Sequence, residues 1–296
     1  MTAAGTGVDA TLSTTCRICG EGGTKKVLEI GHEGRAYTVV RCRRCGTIQT
    51  VEFHAPVSPD YVGLTESDID DERLWCQGAH KVPAFRRWSA HARSLLARPL
   101  EGCRLLDAGC GTGGFLSFAQ SLGLSVYGYD ASRAQAEFAA RTFASVRLAN
   151  DPIGYLEALG ERDLRFDIVT LWDVLEHVRQ PFELLLQLRG VLRPGGLIFV
   201  SVPNASAMRW KAVVHRLRGL PKGFGWVPWE HVFYYSPASL ALLHRNAGFV
   251  VERAGAVACY PRPLSAHEVL RRIGFAAMTL TPAIAPQVFL WSRTTA

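Results

Sequence analysis

Short apolar runs rich in β-branched residues alternate with longer amphipathic stretches from residue 103 onward. Five of these runs have the length and composition of strands: CRLLDAG, LSVYGYD, SVRLA, FDIVTL and GLIFVSV. The stretches between them predict helices, which start at Gly113, Ser132 and Ile153, and a further helix that ends at Leu192. This alternation predicts a parallel sheet with helices on both faces. Ligands bind such a sheet at the carboxyl ends of its strands, so we expect the functional residues there.

The two ends of the chain depart from this alternation. After the fifth run the sequence predicts a helix over Ser236–Ala247, a strand over Phe249–Ala258 and a last apolar strand near Gln287–Trp291, which fits an antiparallel edge. Before the first run, Lys81–Leu96 predicts a helix that covers the sheet, and the acidic stretch 60–71 predicts a linker. We therefore expect three segments, a small domain over 1–55, a linker with a covering helix over 56–99 and the α/β domain over 100–296.

Composition narrows the class of protein. Of the 296 residues, 48% are hydrophobic and 20% charged, which excludes a disordered or fibrous chain. The formal net charge is +7, but no run of five like charges occurs, so nucleic acid is not the expected partner. The start has no secretory pattern, and no uninterrupted apolar stretch reaches about 18 residues. We expect a cytoplasmic protein without a membrane span.

Four of the eight cysteines form two C-x2-C-G turns separated by 22 residues: Cys16, Cys19, Cys42 and Cys45. Two residues between thiolates let one tight turn present both sulfurs to a single ion, so the spacing predicts a structural zinc ribbon. The stretches Lys26–Ile30 and Tyr37–Arg41 would be its strands. The alternatives are four unrelated buried cysteines or redox pairs.

A glycine-rich loop follows the first strand and opens a helix. Gly109, Gly111 and Gly113 stand at every second position, where they let the backbone turn tightly and approach a ligand. Asp130 ends the second strand and is placed to accept hydrogen bonds from ribose hydroxyls. Asp107, just before the loop, suits a cation such as an amine, which points away from a pyrophosphate ligand.

With these motifs, residues 100–296 resemble the class I S-adenosylmethionine-dependent methyltransferases. The resemblance rests on LLDAGCGTGGFL, Asp130, RFDIVTLWDVLEHV and LRPGGLIFVSVPN, in this order. It implies a Rossmann-like, doubly wound, mostly parallel seven-stranded sheet, here preceded by the small zinc ribbon, with S-adenosyl-L-methionine as cofactor. The loop glycines would lie against the methionine moiety, Asp107 would orient its amino group, and Asp130 would bind the ribose.

Two further cofactor contacts are implied by the same resemblance. Trp172, at the exit of the fourth strand, would wall the cofactor, and Asp151 with Pro152 would border the adenine. Asp151 equally fits an N-cap for the helix from Ile153, and the sequence leaves both interpretations open.

The stretch EHVFYYSPASLALLHRNAGF is similar to the subgroup that contains the ubiquinone-biosynthesis O-methyltransferases and many sugar and natural-product methyltransferases, which often carry a cysteine knuckle domain in front. We therefore expect methyl transfer to a hydroxyl of a small molecule, a sugar or a secondary metabolite. The alternatives are a C- or N-methyltransferase acting on a nucleotide-linked sugar, an RNA-modifying enzyme that binds RNA through the zinc module, and a binding protein on an inactive fold.

A second metal site is a further candidate. Asp173, Glu176 and His177 follow the fourth strand, and on a helix they would share one face. His231 lies at a position resembling the second histidine of relatives that bind a divalent ion with two acids and two histidines. These residues would hold an ion that activates the acceptor hydroxyl. Without an ion, Glu176 and His177 would pack beside the cofactor and His231 becomes a candidate general base.

Aromatic residues are dense between positions 205 and 235. They are a candidate lid over the acceptor, with a hydrophobic cap on the sheet or a homodimer contact as alternatives: Trp210, Phe224, Trp226, Trp229, Phe233, Tyr234 and Tyr235.

Overall fold

The structure is a computed structural model that describes residues 15–51, 81–209, 217, 226–257 and 285–295. The predicted linker over 60–71 and two of the lid aromatics, Trp210 and Phe224, lie outside these residues. Within the described part of the chain, no helix is both long and apolar enough to span a membrane.

The main sheet has seven strands in the order β10-β11-β8-β7-β4-β5-β6. Five strands are parallel to one another: β4 (Arg104–Ala108), β5 (Ser125–Asp130), β6 (Val146–Leu148), β7 (Phe166–Trp172) and β8 (Leu192–Pro203). The antiparallel strands are β10 (Phe249–Val257) and β11 (Gln287–Thr294). The predicted doubly wound sheet is thus confirmed. The last strand in sequence is not the edge, however, because β11 lies between β8 and β10.

Within the described residues, six helices with defined bounds accompany these strands. They are α1 (Val82–Leu96), α2 (Gly114–Ser121), α3 (Arg133–Ala140), α4 (Pro152–Glu161), α5 (Pro181–Val191) and α6 (Pro237–Asn246). Local sequence sets where these helices begin. Proline occupies the first turn of α4, α5 and α6. The side chains of Ser132, Asp151 and Ser236 cap α3, α4 and α6 by accepting hydrogen bonds from backbone N–H groups of the first turn.

The strands bury side chains on both faces of the sheet. Successive residues point to opposite sides, so Leu105 and Leu106 of β4 belong to two different buried clusters. One cluster packs under α5 and α6. The other includes Trp88 of α1, which stacks on Trp291 of β11 with ring centroids 5.8 Å apart. The helix α1 therefore packs against this face of the sheet.

The cysteine segment forms a second, smaller sheet. It contains β1 (Thr24–His32), β2 (Arg35–Cys42) and β3 (Ile48–Thr50), all antiparallel, and these strands contain the two predicted ribbon strands. The fourth strand comes from much later in the chain, since β3 pairs with β9 (Phe233–Tyr234). The ribbon thus shares a sheet with the α/β domain.

Candidate active site

A cavity of about 540 Å³ opens at the carboxyl ends of β4, β5 and β7. This is where the strand order reverses, because the chain runs outward from β4 to β5 and β6 and then returns to β7, on the other side of β4. Its walls come from the glycine loop, the end of β5, the turn before α4, the segment after β7 and the start of α1.

Backbone atoms of the glycine loop form one wall of the cavity, and two of its glycines have no room for a side chain. Gly109 has φ of 76°, and a Cβ there would lie 2.5 Å from Val174 Cγ2. Gly111 has φ of 54°, and a Cβ there would lie 2.9 Å from Gln135 Oε1. Both line the cavity. Gly113 does not: it caps α2 and faces the Phe143 ring, so its lack of a side chain serves the turn and the packing of α3.

Asp130 is held by two backbone groups. Its Oδ2 accepts a 2.8 Å hydrogen bond from Gly111 N, and its Oδ1 accepts one of 2.8 Å from Ser132 N. Burial raises the pKa of this carboxyl, and the backbone N–H groups oppose that shift. Each oxygen keeps a lone pair for a further donor. Asp130 therefore ties the glycine loop to α3 and presents fixed acceptors to the cavity.

Asp107 is buried beneath the loop. Thr170 Oγ1 donates a 2.6 Å hydrogen bond to its Oδ1. Burial raises the pKa of Asp107 to about 7, against the lowering effect of the Thr170 bond. A cationic group entering the cavity would favour the ionised carboxylate, so Asp107 is suited to an ammonium group.

Two predicted wall residues line the cavity. The Trp172 ring meets the Phe85 ring edge-on, with centroids 5.1 Å apart, and so closes the side next to α1. Asp151 lines the cavity and also accepts a 3.2 Å hydrogen bond from Gly154 N. The N-cap interpretation of Asp151 is the one the structure shows, and its place in the cavity lining leaves contact with the adenine as a prediction.

Two cavity residues were not singled out by the sequence pattern. Thr112 Oγ1 and Gln135 Nε2 are buried and have no hydrogen-bond partner within the described residues. Buried polar groups are rarely left unpaired, so these atoms fit a polar ligand in the cavity. Their signals in the sequence are weak: Thr112 lies inside the glycine loop, and Gln135 lies in the first turn after the Ser132 cap.

The segment after β7 is a turn and not the predicted helix. Asp173 has φ of 56° and bonds away from its neighbours, accepting from Gln287 Nε2 at 2.7 Å and lying 3.5 Å from Lys81 Nζ. The prediction that Asp173 shares a helix face with Glu176 and His177 is wrong, since its carboxylate joins β11 and the start of α1 to the cavity wall.

Glu176 and His177, on this turn, instead lie beside His231 from a later segment of the chain. Each offers a ligand atom, and these atoms lie within 4.8 Å of one another. Two of the members have a buried atom without a partner among the described residues, namely Glu176 Oε2 and His231 Nδ1. Carboxylate and imidazole donors in this number suit a divalent transition ion. Of the three residues, only His177 lines the cavity.

Burial governs the charge of this group. It raises the pKa of Glu176 well above its usual value, and the nearby Asp173 adds to the rise. It lowers the pKa of His231 to about 3, with His177 adding to the fall. His177 Nδ1 lies 3.0 Å from the Glu230 carbonyl oxygen. Burial thus opposes charge on all three side chains and favours neutral imidazoles, the form in which histidine binds metal ions or accepts a proton.

A family described as a methyltransferase domain matches residues 79–254, more than half of the chain. The chain belongs to this family. The matched residues contain the glycine loop, the ends of β5 and β7, and the His177 and His231 segments.

Curated relatives of this methyltransferase domain include a ubiquinone biosynthesis O-methyltransferase from Cereibacter sphaeroides strain KD131, 38% identical over 54% of this chain and 65% of the relative. A protein of the same name from Parvibaculum lavamentivorans is 35% identical over 48% of this chain and 56% of the relative. The chain thus spans less than two thirds of these relatives. The solved magnesium protoporphyrin IX methyltransferase from Synechocystis PCC 6803 is 16% identical, with a TM-score of 0.52 over 80% of this chain and 97% of that chain, and supports the fold.

The sulfur atoms of the four ribbon cysteines form one cluster. Their sulfurs lie within 4.8 Å of one another, and the pairs Cys16–Cys45 and Cys19–Cys42 are each 3.6 Å apart. Sulfurs around tetrahedral zinc lie about 3.8 Å apart, given Zn–S bonds of about 2.3 Å. Burial raises the pKa of Cys42, but backbone N–H groups of Cys45 and Arg44 outweigh it, and the pKa falls to about 7. The cluster fits a zinc ion.

The described lid aromatics do not cover the cavity. Trp226, Phe233, Tyr234 and Tyr235 are buried, and the strand β9 carries two of them into the small sheet. Trp229 stacks on the His32 ring of the ribbon, with centroids 3.9 Å apart. For these residues the hydrophobic cap, and not the lid, is the arrangement in the structure.

Proposed function

We propose that the protein is an S-adenosylmethionine-dependent methyltransferase that methylates a hydroxyl of a small molecule. The observation that carries the proposal is the cavity at the switch point, where a glycine loop, two fixed carboxylates and two unpartnered polar atoms converge. When bound, S-adenosylmethionine would supply a sulfonium methyl group: an acceptor oxygen attacks the methyl carbon in line, the carbon–sulfur bond breaks, and S-adenosylhomocysteine is the leaving group.

The loop half of the cavity suits this cofactor. The carboxylates of Asp130 and Asp107 would accept from the ribose hydroxyls and the methionine ammonium, respectively. Thr112 and Gln135 would offer the remaining polar contacts, and Asp151 would border the adenine. Because these groups are held by the sheet and by backbone hydrogen bonds, they bind without rearrangement, which favours the near-attack geometry that accelerates methyl transfer.

The other half of the cavity is suited to the acceptor. Phe85 and Trp172 give it an aromatic wall, and His177 lines it with an imidazole that can take a proton. When Nδ1 of His177 donates to the Glu230 carbonyl, Nε2 is the unprotonated nitrogen. His177 is therefore our candidate for the residue that accepts the hydroxyl proton, with Glu176 and His231 behind it as positioning residues.

The same three residues are a candidate site for a divalent cation. Glu176, His177 and His231 would hold it, and such an ion lowers the pKa of a bound hydroxyl and orients it. His231 has a separate role only if the ion is absent, and its low pKa then makes it a weak base. The cysteine cluster is a separate candidate site, for a structural zinc ion.

Binding and turnover test the proposed function. We expect S-adenosylhomocysteine to bind the full chain in calorimetry and Asp130→Asn to weaken it at least tenfold, with Glu137→Gln, on the exposed side of α3, as the matched control. Methyl transfer is then measured with catechol, a hexose, a nucleotide-linked sugar and RNA. Absence of cofactor binding would revive a binding role on an inactive fold. Product methylated on carbon or nitrogen, or RNA alone as acceptor, would replace the hydroxyl acceptor.

A further inference from the structure

The cysteine ribbon contacts one segment of the methyltransferase domain that also faces the candidate acceptor site. This segment, residues 229–234, is here called the histidine segment. On one side Val232 N and Phe233 N both donate to the Glu176 carbonyl oxygen, at 2.8 and 3.1 Å. These bonds fix the segment beside the turn that carries His177.

On its other side the histidine segment is bound by β3. Thr50 Oγ1 donates a 2.8 Å hydrogen bond to the His231 carbonyl oxygen. Thr50 N donates a 2.9 Å hydrogen bond to the Val232 carbonyl oxygen. Thr50 is fully buried, so both bonds are shielded from water. One residue thus binds two successive carbonyl oxygens, those of His231 and Val232.

The two ends of the segment are held by the ribbon as well. Trp229 stacks on His32 at the tip of the β1–β2 hairpin. Phe233 and Tyr234 pair with β3 in the register Gln49–Phe233 and Ile48–Tyr234. The backbone around His231 is therefore held between the ribbon and the Glu176 turn, in a position that places its imidazole beside Glu176 and His177.

We propose that Thr50 is a positioning residue for the acceptor site: through its hydroxyl, the ribbon sets the backbone of His231 and hence the place of the imidazole beside Glu176 and His177. The role of the ribbon is then to build the acceptor half of the site, whereas the cofactor half, which lies on β4 and β5, is independent of it. This inference rests on the proposed function in placing the acceptor beside His177.

Thr50→Val is the informative variant because it removes the hydroxyl and keeps the shape and the backbone N–H. Thr50→Ser restores the hydroxyl, and Thr38→Val makes the same change on the neighbouring strand β2. Loss of one buried hydrogen bond of about 1 kcal/mol corresponds to roughly fivefold in an opening equilibrium. We expect hydrogen exchange at Val232 and Phe233 to accelerate about fivefold in Thr50→Val.

Two further readouts separate positioning from general destabilisation. The imidazole signals of His231, assigned with His231→Gln, should shift in Thr50→Val and return to the wild-type position in Thr50→Ser. Affinity for S-adenosylhomocysteine should stay within twofold in every variant. With catechol as probe acceptor, kcat should fall while the KM for S-adenosylmethionine is unchanged.

The proposal is wrong if Thr50→Val leaves the exchange rates and the His231 signals as in wild type. It is equally wrong if Thr50→Ser behaves like Thr50→Val, or if cofactor affinity falls in step with the exchange protection. The exchange and imidazole measurements need no acceptor. They therefore decide the positioning role even when catechol is not methylated, an outcome that would count against the proposed function alone.

Discussion

Thr170 on β7 donates a 2.6 Å hydrogen bond to Asp107 on the neighbouring strand β4, at the floor of the cavity. The bond favours the ionised carboxylate in a site where burial raises the pKa to about 7. Both the Thr170 hydrogen bond and a cation bound in the cavity therefore favour the ionised form of Asp107.

Thr170→Val should raise the pKa of Asp107 further, because it removes a hydrogen bond that lowers it. Binding of the cofactor ammonium needs the ionised form, so S-adenosylhomocysteine affinity should strengthen as pH rises through about 7, and the midpoint should move to higher pH in the variant. Calorimetry between pH 6 and 8.5 measures both. Thr170→Ser, which keeps the hydroxyl, should follow the wild-type curve, and a common curve for all three proteins would contradict the role of Asp107.

Gly109→Ala should destabilise the fold and weaken cofactor binding. The new methyl group would meet Val174 Cγ2 at 2.5 Å in a left-handed backbone conformation, at a cost of about 2 kcal/mol or more in the free energy of unfolding. Gly160→Ala is the matched control. It lies in α4 with nothing within 4 Å, so alanine there should stabilise by about 0.5–1 kcal/mol. Denaturant unfolding of both variants checks the opposite signs.

His244 should make the fold sensitive to acid. It is fully buried on α6, and neither ring nitrogen has a partner among the described residues; burial lowers its pKa to about 3. The unfolded chain binds this proton below its ordinary pKa of about 6.5, so stability is lost as pH falls from 6.5 toward 3, by up to about 1.4 kcal/mol per pH unit.

His244→Leu removes this titration and should flatten the decline of stability in that interval. Arg245→Gln, the exposed neighbour on the same helix, should leave the decline unchanged. Thermal unfolding across pH 4 to 8 compares the three proteins, and parallel curves for wild type and His244→Leu would show that another group governs the acid transition.

The cysteine ribbon should contain one zinc ion per chain by elemental analysis. Cys42→Ser should lose it and unfold the ribbon, because the shielded four-sulfur cluster is then broken. Cys103→Ser, a change at a buried cysteine of the main core, should keep the metal. A ribbon that stays folded in the absence of any metal, as judged by hydrogen exchange over residues 24–42, would contradict the zinc assignment.

The Glu176–His177–His231 group should bind a divalent ion such as Mn²⁺, observable by paramagnetic resonance of the bound ion. Glu176→Gln and His231→Gln should each weaken binding at least tenfold. Asp173→Asn should not, because its carboxylate is engaged by Gln287 and Lys81. Unchanged methyl transfer in chelator, with an active His231→Ala variant, would leave His177 as a metal-free base.

Local patterns were sufficient for much of this fold. The alternation of strand and helix, the capping residues and the two cysteine turns are set by periodicity and by neighbours a few residues apart, and the structure contains each of them. The glycine loop belongs to the same class, because positive φ at Gly109 and Gly111 is a local requirement. The helix expected over Asp173–His177 is the exception. Asp173 has a left-handed backbone conformation, and its carboxylate contacts Lys81 and Gln287, which are far away in the sequence.

Contacts between distant parts of the chain were decided only by tertiary packing. Pairing of β3 with β9 joins residue 48 to residue 234, and it places Thr50 against His231. No periodicity in the sequence encodes that contact, since it depends on how the ribbon packs against the turn after β7. The sequence by itself thus determined the elements, the glycine loop and the cysteine cluster. The tertiary structure decided that His177 lines the cavity and that β3 of the ribbon binds the backbone of His231. The physical reason is that the second contact joins residues some 180 positions apart, which only packing brings together.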